Sequence, residues 1–128
     1  MTPNLPMPTD AELAILRVLW ERGPSTVRQV QETLDQVRPT GYTTALKMLQ
    51  IMTEKGLVER NASERTHVYW ARRSENQTQR QLVGDLLERA FDGSAARLVM
   101  QALATRRATP EELDEIRRLL DRHAGGDK

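Results

Sequence analysis

The sequence predicts a mainly α fold with a small β-wing, in which a winged helix-turn-helix is followed by a helical dimerisation region. Three observations support this. An amphipathic helix between Thr40 and Gly56 has an unusually polar outer face, two short alternating segments follow it, and helical patterning of a different character begins at Ser74. The 128 residues suffice for one domain, or for two very small ones that share a core with a partner.

The helix between Thr40 and Gly56 is the one around which the other predicted elements are arranged. At about 100° per residue, one side of it is apolar apart from a threonine. That side carries Tyr42, Ala45, Leu46, Leu49, Met52 and Thr53, and the opposite side carries Thr43, Thr44, Lys47, Gln50, Ile51 and Glu54. Short hydroxyls, an amide and a lysine suit the base edges of a DNA major groove. A purely solvated face would more often carry Glu/Lys pairs four residues apart.

Two shorter helices are predicted before it. Thr9 and Glu12 form a capping box at the start of a first helix that is apolar around most of its circumference, which is typical of the centre of a small domain. Gly23-Pro24 ends it, and Ser25-Thr26 is either a very short strand or the cap of a second helix. That second helix is predicted from Val27, Val30, Leu34 and Val37, and it ends at the turn Arg38-Pro39-Thr40-Gly41.

These helices match a helix-turn-helix, and the alternative is an ordinary three-helix bundle with a hairpin attached. The hairpin is predicted from two alternating segments, Leu57-Val58-Glu59-Arg60 and His67-Val68-Tyr69-Trp70. Val68 and Trp70 are expected to point inward against the first helix, with His67 and Tyr69 on the other side. Arg60 and Arg65 flank the polar turn and could reach phosphates.

Charge is distributed unevenly although the net charge is only +1. Residues 38–73 contain seven basic and three acidic side chains, whereas the residues from Ser74 onward contain nine basic and ten acidic ones. This pattern favours polyanion binding by the first half of the chain.

Several function classes lack support. There is no cysteine, which excludes disulfides, thiolate catalysis and cysteine-based metal sites, and with only two histidines no metal or other cofactor is expected. No glycine-rich phosphate loop or histidine–carboxylate constellation indicates an enzyme. No apolar run approaches the length of a membrane span and the first eight residues do not resemble a signal peptide, so no membrane contact and a cytoplasmic location are expected.

Beyond Ser74, three amphipathic helices are predicted. Ser74 and Gln77 form a capping box for a helix to about Phe91, a short helix follows Ser94, and Thr109-Pro110-Glu111-Glu112 is a strong helix start. Three short helices cannot bury all of these apolar side chains against one another. This favours a two-fold dimer over a monomer in which the helices pack back on the winged helix. The predicted dimerisation residues are Leu82, Leu86, Phe91, Leu98, Val99, Leu103, Leu113, Ile116, Leu119 and Leu120.

The predicted boundaries are a flexible lead-in over residues 1–8, a winged helix over 9–73, a helical dimerisation region over 74–123 and a flexible tail over 124–128.

With these features the sequence resembles the penicillinase repressor family of bacterial transcription regulators, from about residue 8 to residue 121. The order and spacing of several segments together carry the resemblance. They are residues 8–13 with 18–20, 26–30, 42–44, 54–60 with Tyr69, Phe91-Asp92-Gly93-Ser94, and 109–113. The resemblance implies a homodimeric repressor bound to double-stranded operator DNA. It implies base reading by Thr43, Thr44 and Lys47 with Gln50 beside them, and wing contacts to the DNA backbone from Arg60 and Arg65. His67 is predicted as a further wing residue from its place in the hairpin.

Three departures from the family pattern are visible. Ile51 stands where members usually carry a basic residue. Members released by proteolysis have an Asn-Phe site where this chain reads Gln101-Ala102, which leaves a sensor protease open as a partner. The copper-responsive branch uses cysteines, which this chain lacks. The expected function is therefore a dimeric DNA-binding repressor, and the alternative is a winged helix that contacts protein without operator specificity.

Overall fold

The computed structural model describes residues 6–61, 63 and 65–126. The chain divides into two compact units, and the division falls within a helix. The first unit ends at Val83 and the second begins at Gly84. In chain order the elements are α1 (Asp10–Arg22), β1 (Ser25–Thr26), α2 (Val27–Asp35), α3 (Tyr42–Lys55), β2 (Val58–Asn61), β3 (Val68–Ala71), α4 (Glu75–Ala90), α5 (Ala95–Thr105) and α6 (Pro110–Gly126). The predicted mainly α fold with a small β-wing is confirmed.

Four helices begin at a reciprocal capping box, each at a residue that the sequence marks as a candidate cap. In each one a hydroxyl accepts a hydrogen bond from the backbone three residues on, and the Glu or Gln at that position accepts one from the backbone of the capping residue. The four pairs, with distances between 2.9 and 3.2 Å, are Thr9–Glu12, Thr26–Gln29, Ser74–Gln77 and Thr109–Glu112.

The first unit has one hydrophobic core, to which α1 contributes most. The buried apolar residues are Ile15, Leu16, Val18, Leu19, Val27, Val30, Ala45, Leu49, Met52, Val58 and Tyr69. Trp20 packs against this core, and its indole Nε1–H donates to the carbonyl of Arg73 over 2.9 Å. This bond holds the segment between β3 and α4 against α1.

The three strands form an antiparallel sheet in the order β1-β3-β2. Ser25 pairs with Tyr69 and Thr26 with Val68, so the two residues after Pro24 are both a short strand and the start of α2. The predicted facing of β3 is wrong, because Tyr69 is only 1% exposed whereas Val68 and Trp70 are half-buried. Both faces of β3 carry apolar or aromatic residues, so alternation alone does not tell which face meets the helices.

The turn between α2 and α3 also differs from the prediction. Helix α2 ends at Asp35, and Val37, expected on its apolar stripe, is 91% exposed. The carboxylate of Asp35 accepts a hydrogen bond from the backbone of Thr40 over 2.8 Å, and the Gln31 amide donates to the Thr40 carbonyl over 2.9 Å. These two bonds tie Thr40 back to α2, and Val37 lies in the turn that they close.

The second unit is helical. Helix α4 ends at a turn in which Asp92 and Gly93 both have positive φ, and Ser94 caps α5. Helix α6 continues to Gly126 and so includes residues that the sequence assigns to the tail, whereas residues 1–5 of the lead-in and residues 127–128 lie outside the described part of the chain. No helix of the described part is long and apolar enough to cross a bilayer.

Candidate nucleic-acid interface

The outer face of α3 is fully available to a partner. Thr43, Thr44, Lys47 and Gln50 are all exposed, as is Ile51 beside them. Their opposite face is buried, with Ala45, Leu49 and Met52 completely inaccessible to solvent. The four polar side chains predicted from sequence therefore project from a helix whose position is fixed by the core.

Both ends of α3 are shaped by glycine. Gly41 precedes the helix and supplies no side-chain cap, so the first backbone N–H groups receive no capping bond from it. Gly56 follows with φ of 83° and ψ of 15°, the left-handed conformation predicted for this position. The chain then enters β2 directly, which ties the wing to the end of α3.

An ion pair joins the last turn of α3 to the first turn of α1. Lys55 Nζ lies 2.8 Å from Glu12 Oε2, with side-chain exposures of 32% and 7%. The other carboxylate oxygen of Glu12 accepts the backbone N–H of Thr9 over 2.9 Å. Burial raises the pKa of the Glu12 carboxyl, but the hydrogen bonds from Lys55 and Thr9 outweigh burial and hold that pKa below its ordinary value.

The wing carries the three predicted cationic or titratable residues. Arg60 and Arg65 are exposed and His67 is half-buried. Arg60 Nη1 lies 3.5 Å from His67 Nδ1, which brings the two sides of the wing together at this point. On the same hairpin, Arg72 forms a longer exposed contact of 3.6 Å with Glu59, so that arginine is partly neutralised while Arg60 faces the histidine.

Two residues without a predicted contact, Arg28 of α2 and Tyr42 of α3, lie beside the wing. Tyr42, predicted on the inner face, is 47% exposed, and the guanidinium carbon of Arg28 lies 5.7 Å from the centre of its ring. Both line a cleft of about 400 Å³ together with Arg65, Thr66 and His67. The sequence could have drawn attention to Arg28 only through its position in the first turn of a helix, close to the capping threonine. No spacing rule connects Arg28 with Tyr42.

The arrangement offers two kinds of contact to a polyanion. The α3 face supplies hydroxyl, amide and ammonium groups that can bond to base edges. The wing and the cleft supply guanidinium groups suited to phosphate oxygens. Since the first turn of α3 and the wing line the same cleft, both kinds of contact are available to one ligand.

Comparison with known proteins agrees with this geometry. The model of the penicillinase repressor family matches residues 8–122. The transcriptional regulator BlaI of Mycobacterium tuberculosis is 35% identical over 112 residues, covering 87% of this chain and 80% of that protein. The penicillinase repressor of Bacillus licheniformis is 23% identical over 120 residues and covers 94% of each chain.

A solved structure is similar to the first part of the chain. It is the solution structure of the monomeric form of Bacillus licheniformis BlaI in complex with the blaP half-operator. It aligns with a TM-score of 0.50 and 25% identity over 57% of this chain and 89% of that one. The winged helix is thus shared with a repressor. From the extent of the family match and the similarity to the mycobacterial regulator, we conclude that the chain belongs to the penicillinase repressor family.

Proposed function

We propose that this protein is a sequence-specific DNA-binding repressor that acts as a homodimer on a pseudo-palindromic operator. The observation that carries the proposal is the outer face of α3. Thr43, Thr44, Lys47 and Gln50 project from a helix whose inner face is buried and whose last turn is paired to α1. A related chain of the same family is described in complex with a half-operator.

Each side chain of this face has a defined capacity for base reading. The Lys47 ammonium can donate to guanine O6 and N7, and the Gln50 amide can bond to adenine N6 and N7. Threonine hydroxyls bond to several base edges, and the threonine methyl group suits a thymine methyl. In this proposal Thr43, Thr44, Lys47 and Gln50 contact bases, while Arg60, Arg65 and His67 of the wing contact phosphates and set the position of the domain.

The homodimer is supported by the apolar side chains of the second unit. In the described residues of α5 and α6 no side chain is fully buried, although both helices are amphipathic. Val99, Leu103, Leu119 and Leu120 are exposed, and Leu98, Leu113 and Ile116 are half-buried. Exposed apolar side chains grouped along helices in this way are typical of a protein interface. A second copy of the same helices provides a matching surface in a two-fold arrangement.

The dimer explains why the operator is expected to be an inverted repeat. Two-fold symmetry of the protein places two equivalent α3 helices on half-sites about one helical turn of DNA, or a multiple of it, apart. Each half-site is then read in the same way in opposite directions.

Release by a sensor protease is not needed for this function. Gln101 and Ala102 are exposed but lie inside α5, and proteolytic nicking favours exposed loop tips over helix interiors.

The test is selection of bound genomic fragments by the purified full-length protein at near-physiological salt, followed by sequencing. We expect a short inverted repeat with a fixed half-site spacing. The matched control is the Lys47→Ala/Gln50→Ala variant, which keeps the buried face of α3 intact and should lose the motif while remaining folded.

Two results would count against the proposal. Recovery of no motif would favour a winged helix that contacts protein instead. Binding could also weaken equally for all DNA sequences as the salt concentration rises. This result would indicate only a basic surface, because phosphate contacts carry the salt dependence of DNA binding without reading sequence.

A further inference from the structure

The cleft beside the first turn of α3 is not used by the base-reading face. It is lined on one side by Arg28 from α2 and Tyr42 from α3, and on the other by Arg65, Thr66 and His67 from the wing. Its volume is about 400 Å³ and it is open to solvent.

Strand pairing fixes the two sides of the cleft relative to each other. Thr26 pairs with Val68 of β3 and also caps α2, so the start of α2 lies directly beside the base of the wing. Arg28 follows two residues after Thr26, and His67 immediately precedes Val68. The sheet register thus places Arg28 and His67 on opposite sides of the cleft.

Among the described residues, no carboxylate partner is found for the guanidinium groups of the cleft. No carboxylate is among the described residues that line it. In the described part of the chain, Arg28 and Arg65 make no ion pair with Asp or Glu. The described lining of the cleft therefore holds two guanidinium groups and an imidazole but no carboxylate, which favours an external anion.

Tyr42 controls how Arg28 can bind. The guanidinium carbon lies 5.7 Å from the ring centre, a cation–π contact. This contact attracts the guanidinium to the ring, and the N–H groups that point away from the ring can donate to two oxygens of a phosphate. The ring therefore holds Arg28 beside the cleft while it keeps donors for a ligand.

We propose that this cleft binds one backbone phosphate of the operator, with Arg28 as its ligand and Tyr42 as the residue that positions Arg28. The inference rests on the proposed DNA-binding function. In a helix-turn-helix the first helix crosses the DNA backbone while the second lies in the major groove, which brings the start of α2 to a phosphate. Such a contact sets the register of α3 on the base pairs without reading sequence.

The experiment combines protein variants with single methylphosphonate substitutions along the selected operator, each of which removes the charge of one phosphate. Arg28→Gln should weaken operator binding and lower the slope of log Kd against log salt concentration by about 1. One methylphosphonate should weaken binding by the wild type but not by Arg28→Gln. Arg17→Gln is the matched control, since Arg17 is exposed on α1 and does not line the cleft.

Tyr42 variants separate positioning from general structure. Tyr42→Phe keeps the ring and should retain the coupling to that one phosphate, whereas Tyr42→Leu should lose it. Arg28→Gln and Tyr42→Leu change exposed positions, and their thermal unfolding should match that of the wild type.

Each negative outcome has a distinct meaning. If the wild type binds its operator but Arg28→Gln behaves like Arg17→Gln, or no phosphate is coupled to Arg28, the inference is overturned and the repressor function stands. If the wild type recognises no operator, the proposed function itself fails.

A free anion has the same chemistry as a backbone phosphate, and a separate arm distinguishes the two. Inorganic phosphate is titrated into the DNA-free protein against chloride of equal ionic strength while the His67 ring resonances are followed. A saturable shift that Arg28→Gln abolishes, with unchanged DNA binding by that variant, would assign the cleft to a small anion and overturn the DNA assignment.

Discussion

The ion pair between α3 and α1 should contribute measurably to stability, and Glu12→Gln tests it. In the wild type, Glu12 Oε1 accepts the backbone N–H of Thr9 and Oε2 lies 2.8 Å from Lys55 Nζ. A glutamine can keep the first bond, because Gln also serves in a capping box. Its amide nitrogen would then face the lysine ammonium, and two donors cannot bond to each other.

The magnitude follows from the exposures of the two groups. A hydrogen bond to a charged group contributes about 1.5–3 kcal/mol to stability. Because Lys55 is 32% exposed and can turn toward water, we expect Glu12→Gln to lower the free energy of unfolding by about 1–2 kcal/mol. Lys55→Met should cost roughly 2–3 kcal/mol, because it leaves a carboxylate with only 7% exposure without its cation. The double variant should recover part of the summed loss, giving a coupling of roughly 1–2 kcal/mol.

The assay is urea unfolding followed by far-ultraviolet circular dichroism, at one protein concentration and without DNA. The pH dependence has a defined sign. The Glu12 pKa is lowered in the folded state, so the stabilisation is fully present above the unfolded pKa, at about pH 4, and is lost as pH falls through the folded pKa. The difference in unfolding free energy between wild type and Glu12→Gln should therefore disappear below about pH 4. Equal stabilities at pH 7, or a gap that widens in acid, would refute the reasoning.

Three further predictions concern the recognition helix and the second unit. Lys47→Ala should weaken operator binding by roughly 1–3 kcal/mol in a fluorescence anisotropy titration, and an unchanged affinity would remove Lys47 from the base-reading set. Gly56→Ala should lower the unfolding free energy by about 1–2 kcal/mol, because φ is 83° and the added Cβ would lie 3.3 Å from Arg72 Nη1; unfolding at the wild-type urea concentration would argue against this strain. Leu120 is 63% exposed in the protomer, so its burial in a dimer should yield about 1–2 kcal/mol per copy. Leu120→Ala should accordingly weaken dimerisation by roughly tenfold or more in sedimentation equilibrium, and an unchanged dissociation constant would place Leu120 outside the interface.

Local signals predicted most of the helices. Each capping box joins residues only three apart, so the starts of α1, α2, α4 and α6 could be read from the sequence. The left-handed cap at Gly56 is equally local. The outer face of α3 followed from helical periodicity, because its inner face has a continuous apolar pattern.

Non-local packing accounts for what the sequence did not predict. The burial of Tyr69 depends on β3 being the central strand, and this in turn requires the two-residue β1 to pair with it across more than 40 positions of sequence. Periodicity placed Tyr42 on the inner side of α3, but a first-turn residue can lie beyond the edge of the core. Its partner Arg28 comes from another helix, and no sequence rule brings the two together.

The two units differ in how far they can bury their own apolar residues. Among the described residues, the first unit has eleven buried apolar side chains, whereas α5 and α6 have none. The second unit therefore has little of the hydrophobic stabilisation that folding needs, unless another surface covers its stripes. If a second copy supplies that surface, dimer formation and the stability of these helices become one equilibrium that depends on protein concentration. Linking two winged helices in this way raises the effective concentration of the second one at its half-site, so operator occupancy should rise more steeply with protein concentration than binding by a single domain would allow.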